Sequence, residues 1–279
     1  MNNHEVRVVI EKFFKFFRKC ARKMEPELQF DDLILLWCEI KRFRAFLRMA
    51  GYESDTDLFL PAGIKEVYGK AGIIRNLQLH IHRIYNAAKN ERKKPYKYML
   101  LLESELDNWK DRLRKELSFN PWFDAEKIIK KELPNVIHLK AIENFVQEKI
   151  TELDALIHNN HNSDDDLHLI RKKLKDLLHN FSTFEKELQR PFPVYVWNEE
   201  EIKIIKSVVA ELEQFNDLCV SVSFLHQGIA SEISDEEKKQ LRVLLHHLSH
   251  EKEKAKINIL AQLVIMNLHS IAVKTDHIN

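Results

Sequence analysis

Residues 164–189, DDDLHLIRKKLKDLLHNFSTFEKELQ, read as one helix in which His168, Arg171, Lys175 and His179 recur at steps of three, four and four. Positions so spaced stack along a single helix face, with Lys172 beside them. Basic groups crowded on one stripe repel each other by a few tenths of a kcal/mol per exposed pair. Such a stripe is tolerated where counter-ions or an anionic ligand occupy the face. The same three-then-four step recurs far upstream, in IKRFRAFLR at 40–48, where Lys41, Arg44 and Arg48 align and Arg42 is adjacent.

Working outward, helical periodicity covers almost the whole chain. Residues 3–24 set Val6, Val9, Ile10, Phe13, Phe17 and Cys20 at three- and four-residue steps with Lys and Arg between them, an amphipathic helix with a basic polar side. A helix over 30–50 opens at Asp31 and Asp32 and closes at Gly51. Further helices are predicted over 62–90, 96–117, 136–158, 164–189, 199–229 and 235–273, the last with a break near 250, and a short one between Pro121 and Pro134. Helices so long and two-faced pack side by side as bundles. The most loop-like run is HNNHNSDDD at 158–166, so the chain divides into a half at 1–117, connecting helices at 118–160 and a half at 161–279.

Composition narrows the fold class and the function. The 279 residues include only 5 Gly and 7 Pro, about a third of the roughly 12% usual for the two together, which leaves little material for the tight turns of an all-β chain. No GxGxxG or GxxxxGK[ST] occurs, so a phosphate must be held by side chains and not by a glycine loop. Cys20, Cys38 and Cys219 are an odd number without CxxC spacing; they form no disulfide framework or zinc knuckle and fit a reducing cytoplasm. No apolar run approaches the roughly 18 residues of a membrane span, and the N-terminus reads as no signal peptide, so no integral membrane contact is expected.

The formal charge of +1 names no polyanionic partner, but its distribution is uneven. Residues 65–97 hold nine Lys or Arg against Glu66 and Glu91, whereas 199–217 hold six acids against Lys203 and Lys206. The order of motifs also repeats. IKRFRAFLR is followed by GIIRNLQL at 72–79, and LHLIRKKLKDLL at 167–178 is followed by LEQFNDLCV at 212–220. With Lys41 matched to Lys175 and Asn76 to Asp217, the separations are 35 and 42 residues, a degenerate two-fold repeat.

His168-x-x-Arg171-x-x-x-Lys175 followed by LEQFNDLCV, and KRFRAFL followed by GIIRNLQL, resemble the two halves of the CHAD family, the conserved-histidine α-helical domain. That family's pattern is a helix of type HxxRxxxRRLR and then one of type LGxxRDLDV, given twice, and the resemblance spans roughly residues 4–270. It implies an all-α single domain over 1–279, built as two antiparallel four-helix bundles related by approximate internal two-fold symmetry, with basic residues facing a central cleft. It also implies binding of inorganic polyphosphate and location at polyphosphate granules. Carried over residue by residue, the polyphosphate-binding set is Lys41, Arg42, Arg44, Arg48, Arg75, His168, Arg171, Lys172 and Lys175. This sequence departs from the pattern at Ile34 and Trp37, where the first copy should carry the histidine and an arginine, and at Asp176 and Leu178 in the second copy. Asn76 and Gln78 stand for the two aspartates of the second motif, and Cys219 replaces one of them in the second copy, where Asp217 keeps the other.

A linear polyanion with about one charge per phosphate suits a groove of cations: arginine forks bind oxygens bidentately, lysines act as point charges and histidine adds a donor that follows pH. Other chemistry finds less support. His246, His247 and His250 include an i, i+4 pair, and His80 and His82 lie near Arg75, but no HExxH surrounds either group, and no metal or cofactor is assigned. There is no GxSxG elbow, and the cysteines sit at apolar helical positions, so no catalytic residue is assigned and the chain is read as a non-enzyme. Glu199, Glu200 and Glu201 begin a helix and favour its dipole. Phe13, Phe14, Phe16 and Phe17 could enter an anionic membrane surface, though core packing is the simpler reading, as it is for Trp37, Trp109, Trp122 and Trp197. No groove-reading motif points to sequence-specific nucleic acid. Two classes of function stay open: a polyanion-binding module, and a structural or protein-interaction helical scaffold whose cleft has lost polyphosphate binding.

Overall fold

A computed structural model describes residues 1–52, 58–87, 94–134, 136–158 and 163–265. Among the described residues the chain is all-α and has no strand. The helices are α1 (Asn3–Met24), α2 (Phe30–Ala50), α3 (Ala62–Ala87), α4 (Tyr96–Ser118), α5 (Trp122–Glu132), α6 (Leu139–Ile157), α7 (Asp164–Leu188), α8 (Glu199–Ala230) and α9 (Asp235–Ile265). Three of them start at reciprocal capping boxes, Asn2 with Glu5, Ser163 with Asp166 and Asn198 with Glu201, each satisfying two backbone donors. Glu201 thus has a local structural duty, beside the favourable charge of Glu199 and Glu200 in the same first turn.

The expected break near 250 is not present. With no glycine or proline in α9, its hydrogen-bond ladder runs on to Ile265; the continuation expected to 273 lies outside the described residues. Residues 88–90, expected to finish α3, also lie outside them, as do residues 159–162 of the loop-like run and Lys89, Arg92 and Lys93 of the basic stretch.

The helices associate in two sets of four. One set is α1, α2, α6 and α7; the other is α3, α4, α8 and α9; α5 braces α1 and α3. The first set joins α1 and α2 to α6 of the connecting segment and α7, and the second joins α3 and α4 to α8 and α9, so each set draws on both halves of the sequence. The recurrence of neighbours, α2 with α7 and α3 with α8, is compatible with an internal two-fold.

Aromatic packing closes the first set. Phe13, Phe14 and Phe17 are buried with Phe43, and the Phe17 ring sits 5.6 Å from Phe43 and 5.2 Å from buried Trp122 of α5. Each such ring contributes about 1.5–3 kcal/mol through burial, so the Phe-rich face of α1 is core and not a membrane anchor. The proline-containing segment after α7 is held similarly: Phe192 packs on Phe181 at 4.7 Å and on Phe184 at 5.0 Å, and Trp197 on Phe181 at 5.5 Å. No helix of the described residues is long and apolar enough to cross a membrane. All three cysteines are free thiols.

Candidate polyanion-binding cleft

Four helices, two from each half, open their polar faces onto one cavity of about 350 Å³. From α2 come Trp37, Lys41 and Arg44, at the four-then-three spacing that keeps them on one face. α3 adds Tyr68, Arg75 and Asn76, with Tyr68 two turns before Arg75. α7 supplies His168, Arg171, Lys172, Lys175, Asp176 and His179, and α8 supplies Glu213, Asn216, Asp217 and Val220. Lys41 and Arg44 therefore share a concavity with His168 and Arg171, from which they are separated by more than a hundred residues of chain.

Aromatic rings fix one wall. Trp37 stacks on Tyr68 with centroids 6.0 Å apart and planes 13° from parallel. Lys41 Nζ lies 3.2 Å from the Trp37 ring centre, Arg75 lies over the same ring at 5.4 Å and Arg44 over Tyr68 at 5.0 Å. Where the family pattern has an arginine, Trp37 gives a face that holds two other cations in place. Gly72, from GIIRNLQL, makes room for it: a Cβ there would stand 3.2 Å from the indole nitrogen.

Six Lys or Arg face three carboxylates across this space, and only part of the positive charge is paired. Arg75 donates both arms to Asp217, at 2.5 and 2.8 Å, and Lys175 donates to Glu213. Asp176 accepts from Arg48 at 2.6 Å. Lys41, Arg44, Arg171 and Lys172 have no ion pair with a carboxylate among the described residues, and the Nε atoms of Arg44 and Arg171 are buried without a hydrogen-bond partner. An Arg171 Nη2 lies 3.2 Å from His168 Nδ1, which is also 2.8 Å from Asn216 Oδ1. A neutral ring uses Nδ1 either to donate to Asn216 or to accept from Arg171, not for both at once.

Crowding of like charge shows in the proton affinities. Burial, then Lys175 and Arg171, push Lys41 down to about 7, and burial with Lys175, Lys41 and the α2 arginines pushes His179 down to about 3. Burial followed by neighbouring cations also lowers Lys172 and His168. Burial would raise Glu213, but Lys175, Lys41 and Arg171 outweigh it and hold the carboxyl below its usual range. The cavity therefore carries more positive charge than its own carboxylates neutralise, which favours an anion.

Of the nine residues singled out in the sequence, seven meet here: Lys41, Arg44, Arg75, His168, Arg171, Lys172 and Lys175. Arg42 does not. It is 7% exposed, donates to Glu39 and Glu187 and lies over the Phe13 ring at 4.6 Å, so it is an internal ion pair that locks α2 to the end of α7. Adjacent residues on a helix point about 100° apart, so Arg42 could not share the Lys41 face along with Arg44. Arg48 lines a neighbouring cavity and touches this one only through Asp176. Glu213, Asn216 and Tyr68 were not singled out, although Glu213 stands one turn before Asp217 and Tyr68 two turns before Arg75, spacings that place them on the same faces. His80 is a core residue: its Nε2 lies 2.8 Å from Tyr98 Oη, which donates to Phe224 O, and burial lowers its pKa to about 4. Among the described residues no group of three His, Cys, Asp or Glu is placed to hold a metal ion.

The family model described as CHAD domain matches residues 31–226, which include α2, α3, α7 and the cavity-lining part of α8. Among solved structures, PptA from Streptomyces chartreusis is similar in fold, with a TM-score of 0.67 at 16% identity over 95% of this chain and 99% of that one. No curated protein sequence matches the chain.

Proposed function

The chain belongs to the CHAD-domain family, and from that premise we propose that it binds inorganic polyphosphate, or a similar polyanion, non-catalytically in the cleft between α2, α3, α7 and α8. The observation that carries this reading is the convergence of Lys41, Arg44, Arg171 and Lys172 on one cavity without carboxylate partners among the described residues. Arg75 and Lys175, held by Asp217 and Glu213, border the same space and add positive charge to it. The ligand neutralises four to six cations at about 0.5–1 kcal/mol each, a total of roughly 2–6 kcal/mol that corresponds to a Kd of tens of micromolar at best. Association with polyphosphate granules would follow from such binding.

A competition series with polyphosphate, DNA and heparin over a range of salt tests this. If counter-ion release per contact resembles that of a single-stranded nucleic acid, four to six contacts give a log Kd against log salt slope of about 3 to 4, with polyphosphate preferred. A scaffold role draws on the two ion pairs Arg75–Asp217 and Arg48–Asp176, which already join the halves. It predicts no polyphosphate binding at about 150 mM salt, and that result would replace the binding reading.

A further inference from the structure

A second cavity, of about 550 Å³, adjoins the first, and Arg44 and Tyr68 line both. The Arg48–Asp176 pair also spans them, since Arg48 belongs to the second wall and Asp176 to the first. Their linings differ in kind. Whereas six cations and three carboxylates crowd the first, the second sets Arg44, Arg48, Lys65 and Lys149, with no carboxylate among the described residues of its lining, beside an apolar group of Leu47, Leu58, Phe59 and Phe145. Phe59 is 70% exposed and has no ring partner among the described residues. A large exposed aromatic side chain beside a concave site is where recognition surfaces are found, and a bare phosphate chain makes no use of it.

We propose that this second cavity receives the base of a nucleoside oligophosphate whose phosphate chain lies in the first cavity. The proposal rests on the anion-binding reading of the first cavity and extends it to a ligand class. Arg44, common to both walls and lacking an ion pair among the described residues, is placed to grip the phosphate at the junction. Lys65 and Arg48 are placed near the sugar and the nearest phosphate. Phe59 offers a flat apolar face, and every base has a π-face that stacks on such a ring without requiring a particular sequence.

Calorimetric titration of the full chain with inorganic tripolyphosphate and with ATP, at about 150 mM salt, separates the two ideas. Tripolyphosphate carries more negative charge, so charge alone makes it the tighter ligand. The proposal expects ATP to bind at least ten-fold more tightly. It also expects Phe59→Ala, an exposed position whose change leaves the core intact, to abolish that advantage while moving tripolyphosphate affinity less than two-fold. ATP no tighter than tripolyphosphate, or an ATP advantage that survives Phe59→Ala, overturns the base-binding assignment and leaves the anion site standing. Absence of binding by both ligands overturns the anion reading and this one with it.

Discussion

Lys41 concentrates the chemistry of the cleft in one side chain. Its pKa is pushed from 10.5 to about 7, so between these values the unfolded chain binds more protons and stability rises with pH; below about 7 the folded protein carries the full cost of the buried charge. His179, lowered from 6.5 to about 3, adds stability that is lost as pH falls from 6.5 towards 3. Replacement Lys41→Met should therefore stabilise the free protein at pH 6, by on the order of 1–2 kcal/mol in denaturant unfolding, and weaken polyphosphate binding. An anion reverses the depression, so titration of the wild type at pH 8 in buffers of different ionisation enthalpy should show uptake of close to one proton, and Lys41→Met should remove it. Glu213→Gln works in the other direction. Loss of the carboxylate leaves Lys175, Lys41 and Arg171 less compensated, so the free protein should unfold about 1–3 kcal/mol more easily, while added polyphosphate should recover most of the difference. The basic residues were legible one at a time because helical spacing fixes which share a face. Arg42 was misleading because adjacency in sequence suggested membership of a stripe, whereas its own direction leads into a buried pair with Glu39 and Glu187.

At the scale of elements, helix starts are written in short side chains, and Ser163, Asn198 and Asn2 mark theirs by capping boxes that can be read without coordinates. Which helix each buried face meets is not written locally, since periodicity says that a stripe is buried and not against what. The interleaving of α1 and α2 with α6 and α7 comes from complementary packing over long separations, as in the Arg42–Glu187 pair and the contact of Asn180 with Ala45 O. The junction of α4, α8 and α9 gives a test of such packing. A Cβ at Gly228 would overlap the Tyr98 ring and stand 3.0 Å from Leu241 Cδ1. Tyr98 cannot swing aside cheaply, because its hydroxyl donates to Phe224 O and stands 2.8 Å from His80 Nε2. Gly228→Ala should thus cost about 1–3 kcal/mol in denaturant unfolding despite its better helix propensity, and leave polyphosphate affinity of the folded protein unchanged.

Over the whole molecule, a near-neutral chain produces a strongly polarised interior cleft because the two copies of the motif bring complementary remnants together. The first copy has Trp37 in place of an arginine but keeps Lys41 and Arg44; the second has Asp176 in place of a basic residue but keeps His168 and Arg171. Neither α2 nor α7 alone surrounds a chain of phosphates, and the fold makes one lining of the two. The decisive measurement is the affinity for a polyphosphate of defined length, at about 150 mM salt, of the wild type, Lys41→Glu, Arg171→Glu and the double variant, with circular dichroism to confirm that each is folded. Convergence on one ligand predicts that either reversal alone weakens binding at least ten-fold and that the double variant retains almost none. Wild-type affinity in the folded double variant would contradict the account.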